Sequence, residues 1–302
     1  MTTAKNLAAS VRERLRQRAL ADRRPFDEVL TYYAMERFLF RLGQSEHRDR
    51  FVLKGAMMMR LWGKTIARPT RDIDLLGRGE LTASDLVTVI ADCISVDVPP
   101  DAVVFDPASI ATSEIREQER YGGIRAEFRA SLERARIKMQ IDVGLGDIVT
   151  PRVVEITYPA LLDLPAPRLH AYPVETAIAE KLEAIVDLGL ANSRMKDFFD
   201  LWALAGALEL DGATLAKAIA ATFKRRGTDV PTSVPVGLSL SFAADADKKR
   251  QWDAFVRRIR VDPEPAFADV VARIQRFAMP VFASALGTTP LRTDWSPSNE
   301  WP

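Results

Sequence analysis

Two aspartates stand two positions apart in the stretch Arg71-Asp72-Ile73-Asp74-Leu75-Leu76. Alternate residues of a strand share a face, so both carboxylates are expected to point one way while Ile73 enters the core. Two adjacent carboxylates repel unless a cation sits between them. Hard divalent cations such as Mg²⁺ are held by one or two carboxylates together with substrate phosphates. Upstream, Phe51-Val52-Leu53 leads to Lys54 and Gly55, and a helical stretch, AMMMRLW, follows. A glycine there supplies a turn in which backbone N–H groups approach a phosphate closely. Thr70 and Arg71 immediately precede the carboxylates. Arg71 reads as a phosphate contact or as an ion-pair partner of Asp72 or Asp74. Thr70 reads as a ligand-orienting or modifiable hydroxyl, or simply as a turn hydroxyl.

The elements that must position these residues follow from periodicity. Residues 3 to 22 read as a charged helix, and a second helix begins at Asp27-Glu28 with Gly43 as its expected C-cap. Tyr32, Tyr33, Phe38 and Phe40 on it are expected to pack in the core. Met57, Met58, Met59 and Trp62 read the same way, because methionine fills irregular gaps. A further helix is expected over 82 to 96, with Cys93 on its apolar face, and Pro99-Pro100 prevent its continuation. Strands follow. In GGIRAEFRASL, Ile124, Ala126, Phe128 and Ala130 alternate with charged residues, and in RIKMQIDVGLGD, Ile137, Met139 and Ile141 alternate with Lys138, Gln140 and Asp142.

The Pro-rich stretch from 151 to about 175 is the expected boundary, and beyond it the pattern is helical. In VETAIAEKLEAIVDLGL, Glu180, Lys181 and Glu183 interrupt the apolar stripe, which by itself suggests a solvated ion pair. In SRMKDFFDLWALAG, Asp197 and Asp200 fall at i,i+3 on one face, with Asp200 expected to cap or pair nearby. After Leu286, GTTPLRTDWSPSNEWP lacks periodicity and is expected to be an extended tail.

A glycine opening a helix, with the Asp-x-Asp pair on the next strand, resembles the polymerase-β-like nucleotidyltransferases. The ordered series FVLKGAMMMR, RPTRDIDLL, IDVGLGD, AEKLEAI and KDFFDL, from about Phe38 to about Leu204, resembles the AbiEii/AbiGii toxin family, which includes the MenT-type toxins. The resemblance implies an α/β (α+β) fold: a nucleotidyltransferase domain with a small mixed sheet over 1–165, a helical domain over 166–286, and the tail over 287–302. It implies a Mg²⁺-dependent enzyme that transfers a nucleoside monophosphate from an NTP to RNA, with the tRNA 3′ end as acceptor and a cognate antitoxin encoded nearby.

The site it implies has Asp72 and Asp74 on the metal, with Lys54, Gly55, Thr70 and Arg71 around the nucleotide. Lys181 lies beside the phosphates, Asp197 is the last acidic residue, and Asp142 is a third carboxylate, either metal ligand or base. Asp142 also reads as a strand-end aspartate before a Gly-rich turn. Gly55-Ala56 departs from the Gly-Ser or Gly-Gly of many members, which bears on the detail of phosphate binding. The alternatives are nucleotidylation of a protein or small molecule, or an inert module that only binds nucleic acid or a partner.

Composition bounds the rest. Of 302 residues, 47% are hydrophobic and 27% charged, as in ordinary globular proteins, and no apolar run is long enough for a membrane span. The N-terminus lacks the apolar core of a secretory signal, and the single cysteine excludes an intrachain disulfide. Both fit a cytoplasmic protein. Net charge is +1, but residues 1–60 hold 13 Lys/Arg against 7 Asp/Glu, and residues 224–260 hold 9 against 4. These basic stretches would suit a polyanion, or they are solvated helix faces.

Overall fold

The structure, a computed structural model, describes residues 4–63, 68–115 and 122–302. The expected helix start at residue 3 and part of the polar linker, 64–67, lie outside them. In chain order the elements are α1 (Ala4–Ala21), α2 (Phe26–Gln44), β1 (Phe51–Lys54), α3 (Met59–Trp62), β2 (Ile73–Gly77), α4 (Ala83–Ser95), β3 (Val104–Ile115), β4 (Gly123–Leu132), β5 (Ala135–Leu145), β6 (Val154–Thr157) and β7 (Arg168–Ala171). Then come α5 (Val174–Leu188), α6 (Met195–Ala207), β8 (Leu210–Asp211), α7 (Gly212–Arg226), α8 (Leu240–Ala244), α9 (Ala246–Ile259), α10 (Phe267–Ala285) and β9 (Asp294–Trp295).

The chain divides into two units that interleave in sequence. One comprises Met1–Met58, Pro69–Gly146 and Val154–Ala171, and the other Met59–Arg68, Asp147–Val153 and Tyr172–Pro302. The first holds a seven-stranded mixed sheet in the order β3-β4-β5-β2-β1-β7-β6. Its strands form where the sequence alternates: Ile124, Ala126, Phe128 and Ala130 on β4, and Ile137, Met139, Ile141 and Val143 on β5, are all buried. α2 contributes Tyr33, Phe38 and Leu39 to this core, and Phe38, Phe105 and Phe128 pack ring against ring at 5.6–6.1 Å. The expected aromatic packing of α2 is therefore found.

Two local expectations are corrected in this unit. Gly43 does not cap α2, which continues to Gln44 with Ser45 as its cap. Its small size serves close approach instead: a Cβ there would lie 2.5 Å from the Arg168 carbonyl oxygen on β7. The stretch after Gly55 is not one helix but a 3₁₀ turn, Gly55–Met58, followed by the single α-turn of α3. α4 forms as expected, fixed by a capping box between Thr82 and Asp85. Cys93 is buried there, and burial pushes its thiol up to about 11.

The second unit is helical apart from the two-stranded pair of β8 and β9. Its core gathers Phe198, Phe199, Trp252, Phe267, Phe277 and Phe282. The segment after Leu286 is not a free extended tail. Its Trp295 is fully buried, pairs through β9 with β8, and donates its indole N–H to the Ala205 carbonyl at 2.8 Å. Trp301 donates to the Phe277 carbonyl at 2.9 Å. Indole rings carry a large apolar area and one donor that needs a partner when buried, and these anchor an aperiodic segment that periodicity alone leaves unplaced. Among the described residues, no helix is long and apolar enough to cross a membrane.

Candidate active site

In the sheet unit the site is built by register. Ile73 is fully buried, so its neighbours Asp72 and Asp74 turn to the opposite face and are half-buried. β5 runs parallel to β2 and places Asp142 directly opposite Asp74. β1 places Lys54 opposite Asp74 from the other side, and β4 places Arg125 opposite Asp142. Four neighbouring strands thus carry one row, Lys54, Asp74, Asp142 and Arg125, with the two carboxylates between two cations. Oxygens of Asp72, Asp74 and Asp142 lie within 4.8 Å of one another. The expected adjacency of Asp142 to the Asp72–Asp74 pair is therefore found.

The carboxylates are held from several directions. Arg125 donates to both oxygens of Asp142 at 2.8 Å, and Gln140 donates at 3.3 Å. The Thr70 hydroxyl, itself buried, donates to Asp72 Oδ1. Arg71 is exposed and forms no ion pair with Asp72 or Asp74. Gly55 adopts φ +72°, and a Cβ there would lie 1.9 Å from Asp74 Oδ2. The glycine is thus required both by backbone conformation and by the carboxylate seated against it.

Three carboxylates and no nitrogen or sulfur donor form the all-oxygen set that hard divalent cations take. The donor set fits Mg²⁺. Gly55→Ala should strain the left-handed backbone by about 1–2 kcal/mol and displace Asp74. Titration calorimetry with Mg²⁺ should then show affinity reduced by about tenfold or more. Unchanged affinity would mean that Asp74 does not serve a cation.

In the helical unit α5 carries Lys181, and α6 carries Asp197 and Asp200 one turn apart. Lys181 Nζ donates to Asp197 at 2.9 Å and to Asp200 at 2.7 Å. Asp200, 0% exposed, also accepts a two-pronged bond from Arg68 at 2.8 and 3.1 Å. Arg194 pairs with Asp197 at 2.9 Å. Three cations thus meet two carboxylates. Lys181 is partly buried, 14% exposed as a side chain, and its ammonium bridges two buried carboxylates instead of forming a solvated pair. Its neighbours Glu180 and Glu183 are held elsewhere: Glu180 accepts from the Tyr172 hydroxyl at 3.0 Å, and Glu183 from Arg226 at 2.9 Å and Thr228 at 2.6 Å.

Burial works against the charge on Lys181, but Asp197 and Asp200 outweigh it and raise its pKa above the ordinary value. Burial also opposes the Asp197 charge, yet Lys181 and Arg194 hold its carboxyl down to about 2, against an ordinary value of 3.8. The unfolded chain therefore binds more protons than the folded one in this window. The resulting stabilisation, about 2 kcal/mol, is present above pH about 4 and lost as pH falls towards 2. Urea midpoints of wild type and Asp197→Asn should converge over that range. A gap that stays constant from pH 5 to 3 contradicts the pairing.

Residues missed in the sequence are Arg125, Gln140 and Arg68. Arg125 sits at an outward position of an alternating strand, and only the strand register assigns it to Asp142. Arg68 lies four residues before Asp72 and has no local signal that it meets Asp200.

A mixed sheet presenting a carboxylate pair, a third acid on the adjacent strand and a glycine against the pair, followed by a helical region, is the framework of a nucleotidyltransferase. The family model described as nucleotidyl transferase AbiEii toxin, type IV toxin–antitoxin system, matches residues 37–273, and the chain belongs to this family. It is accordingly a nucleotidyltransferase toxin. Two solved structures from Helicobacter pylori share the fold at 14% identity and TM-score 0.50. One is JHP933 and the other is described as a candidate nucleotidyltransferase; the match covers 86% of this chain and 94% and 97% of theirs. No curated protein matches.

Proposed function

We propose that the chain transfers a nucleoside monophosphate from an NTP to the 3′ end of tRNA, with release of pyrophosphate, using Mg²⁺ held by Asp72 and Asp74. The acceptor hydroxyl oxygen bonds to the α-phosphorus, the bond to the pyrophosphate oxygen breaks, and the hydroxyl proton passes to a base. The observation that carries this reading is the convergence of Asp72, Asp74 and Asp142 against a glycine whose missing Cβ leaves room for the Asp74 carboxylate.

A bound Mg²⁺ would polarise the α-phosphate and stabilise charge on the attacking and leaving oxygens. The chain's own groups do the rest. Thr70 orients Asp72 through its hydroxyl, and Arg125 orients Asp142 through two parallel bonds. With both its oxygens engaged by a guanidinium, Asp142 suits a ligand or orienting role better than that of a proton acceptor. Lys54 and the backbone at Gly55 meet phosphate, as does the exposed Arg71. Lys181 neutralises triphosphate charge, for which a compact ammonium is suited. Asp197 orients or activates the acceptor. The cluster of three cations and two carboxylates around Lys181 supports an anionic ligand there. A cognate antitoxin and a cytoplasmic setting complete the reading.

Incubation with each labelled NTP, Mg²⁺ and total tRNA tests it. Label in RNA supports the proposal. Label in protein moves the acceptor to a polypeptide, and no label in either argues for a binding module.

A further inference from the structure

We propose that the exposed face of α9 binds the phosphate backbone of the RNA acceptor; this rests on the RNA-acceptor reading above and locates where the acceptor is gripped on the helical unit. The sequence has two basic stretches, and the structure separates them. On and beside α1 the cations are largely spoken for. Arg16 pairs with Glu13, Arg18 with Asp22, Arg24 with Glu28 and Arg12 with Glu133. Such exposed pairs are a solvated surface.

α9 differs. Its apolar side buries Trp252, Phe255 and Val256. The outward side carries Lys249, Arg250, Arg257 and Arg258, all exposed, and Arg260 follows at the C-cap. Against them stand Asp247, which pairs with Arg250, and Asp253. Lys249, Arg257, Arg258 and Arg260 have no carboxylate partner among the described residues. Arg257 donates only to the Asp253 carbonyl at 3.0 Å, and Arg258 lies over the Phe255 ring at 5.6 Å.

Helix stability explains only the C-terminal part of this arrangement. Lys248, Lys249 and Arg250 occupy the start of α9, where the helix dipole is positive and cations are disfavoured. The N-cap Asp245 accepts from two backbone N–H groups, which satisfies the helix end and leaves the three side-chain charges in place. Arg257 and Arg258 stand in the last turn, where the dipole favours cations, and Arg250 pairs with Asp247. Lys249 is therefore the exposed cation placed against the dipole without a carboxylate among the described residues. Together with Arg257, Arg258 and Arg260 it leaves this face net positive, which fits a polyanion.

The same face leads to the residues assigned to the substrate. Lys248 Nζ donates to the Asn192 carbonyl at 2.8 Å, the Asn192 side chain accepts from the Arg194 N–H at 2.8 Å, and Arg194 pairs with Asp197. Asp197 is bonded to Lys181. Within this unit, a contiguous run of contacts therefore joins the N-terminal end of the basic face to Lys181. The 14-residue helix, about 21 Å long, can carry several phosphates of a strand whose end reaches that cluster. Exposed Lys196, at the start of α6, extends the basic track.

The test is the double charge reversal Lys249→Glu/Arg257→Glu, with the paired control Lys249→Arg/Arg257→Lys. Lys249 and Arg257 are both exposed, so the variants should melt close to wild type. With total tRNA as the probe, binding is measured across a salt series and nucleotide incorporation at saturating NTP. The reversal is expected to raise KM for tRNA by about tenfold or more with kcat retained. It should lower the slope of log affinity against log salt by about 1.5–2, as for two lost phosphate contacts. The control should keep both near wild type. Wild-type tRNA affinity and slope in the reversed variant overturn the proposal while leaving the RNA reading intact. Failure of the wild type itself to bind or label tRNA overturns both. Retained tRNA binding with lost adhesion to anionic vesicles reassigns the face to a lipid surface and also overturns it.

Discussion

Replacing Asp74 by asparagine should abolish nucleotide transfer and toxicity while leaving the protein folded and at least as stable as wild type. Asp74 stands against Gly55, opposite Asp142 in the sheet, with its oxygens close to those of Asp72 and Asp142. The amide removes one of the three carboxylate charges, those of Asp72, Asp74 and Asp142, that would hold a cation. Metal assistance contributes several kcal/mol to phosphoryl transfer, so the rate should fall by about 10³-fold or more. Lys54 stands opposite Asp74 and Arg125 pairs with Asp142, which offsets part of the repulsion among the three carboxylates, and neutralising one relieves what remains. Asparagine keeps the shape beside Gly55, so packing is unchanged. Incorporation assays and thermal melts on the same preparation decide the matter. A melting temperature far below wild type, or retained incorporation, shows that the carboxylates serve structure instead.

The second large effect is expected at Lys181. Lys181→Met removes the ammonium that bridges Asp197 and Asp200, two carboxylates that are 3% and 0% exposed as side chains. Breaking a buried ion pair from one side costs about 3–5 kcal/mol. Arg194 still faces Asp197 and Arg68 still faces Asp200, so the lower end of that range is expected. NTP use should be lost at the same time. Lys181→Arg should restore neither fully, because a planar fork cannot place one point charge 2.9 and 2.7 Å from two separate carboxylates. The informative variant is the double Lys181→Met/Asp197→Asn. It removes the buried Asp197 carboxylate, which Arg194 alone would then face, and should recover part of the stability by urea denaturation. If it also recovers transfer, Lys181 acts only as a structural counter-ion.

These expectations rest on features of unequal visibility in the chain. The Asp72–Asp74 pair was legible at once, because strand period 2 is local and needs no knowledge of neighbours. Asp142 was legible as a candidate from the same alternation. Its place opposite Asp74 depends on β5 pairing parallel to β2, a contact between segments some seventy residues apart. The glycine was legible as a turn. That it must also make room for the Asp74 carboxylate is a matter of 1.9 Å, which no spacing rule measures.

Other points needed the third dimension throughout. Gly43 looked like a helix end because glycine commonly is one, yet the strand packed beside it explains its size. The last sixteen residues lack periodicity, so their burial through Trp295 was invisible until β8 supplied a partner. Lys181 between two glutamates reads from local spacing alone as a surface pair, a reading the family resemblance overrules, and the partners it meets come from α6.

The sequence by itself therefore determined the chemistry on offer: which carboxylates share a face, where the glycine turn falls, where the long periodic helices and strands lie, and the family to which their order belongs. Tertiary structure alone decided which charges meet, because register and helix packing join residues far apart in the chain. Arg125 was thereby assigned to Asp142, and Arg68 to Asp200. Arg12, Arg16 and Arg18 of α1 were given carboxylate partners, while Lys249, Arg257 and Arg258 of α9 were left facing solvent.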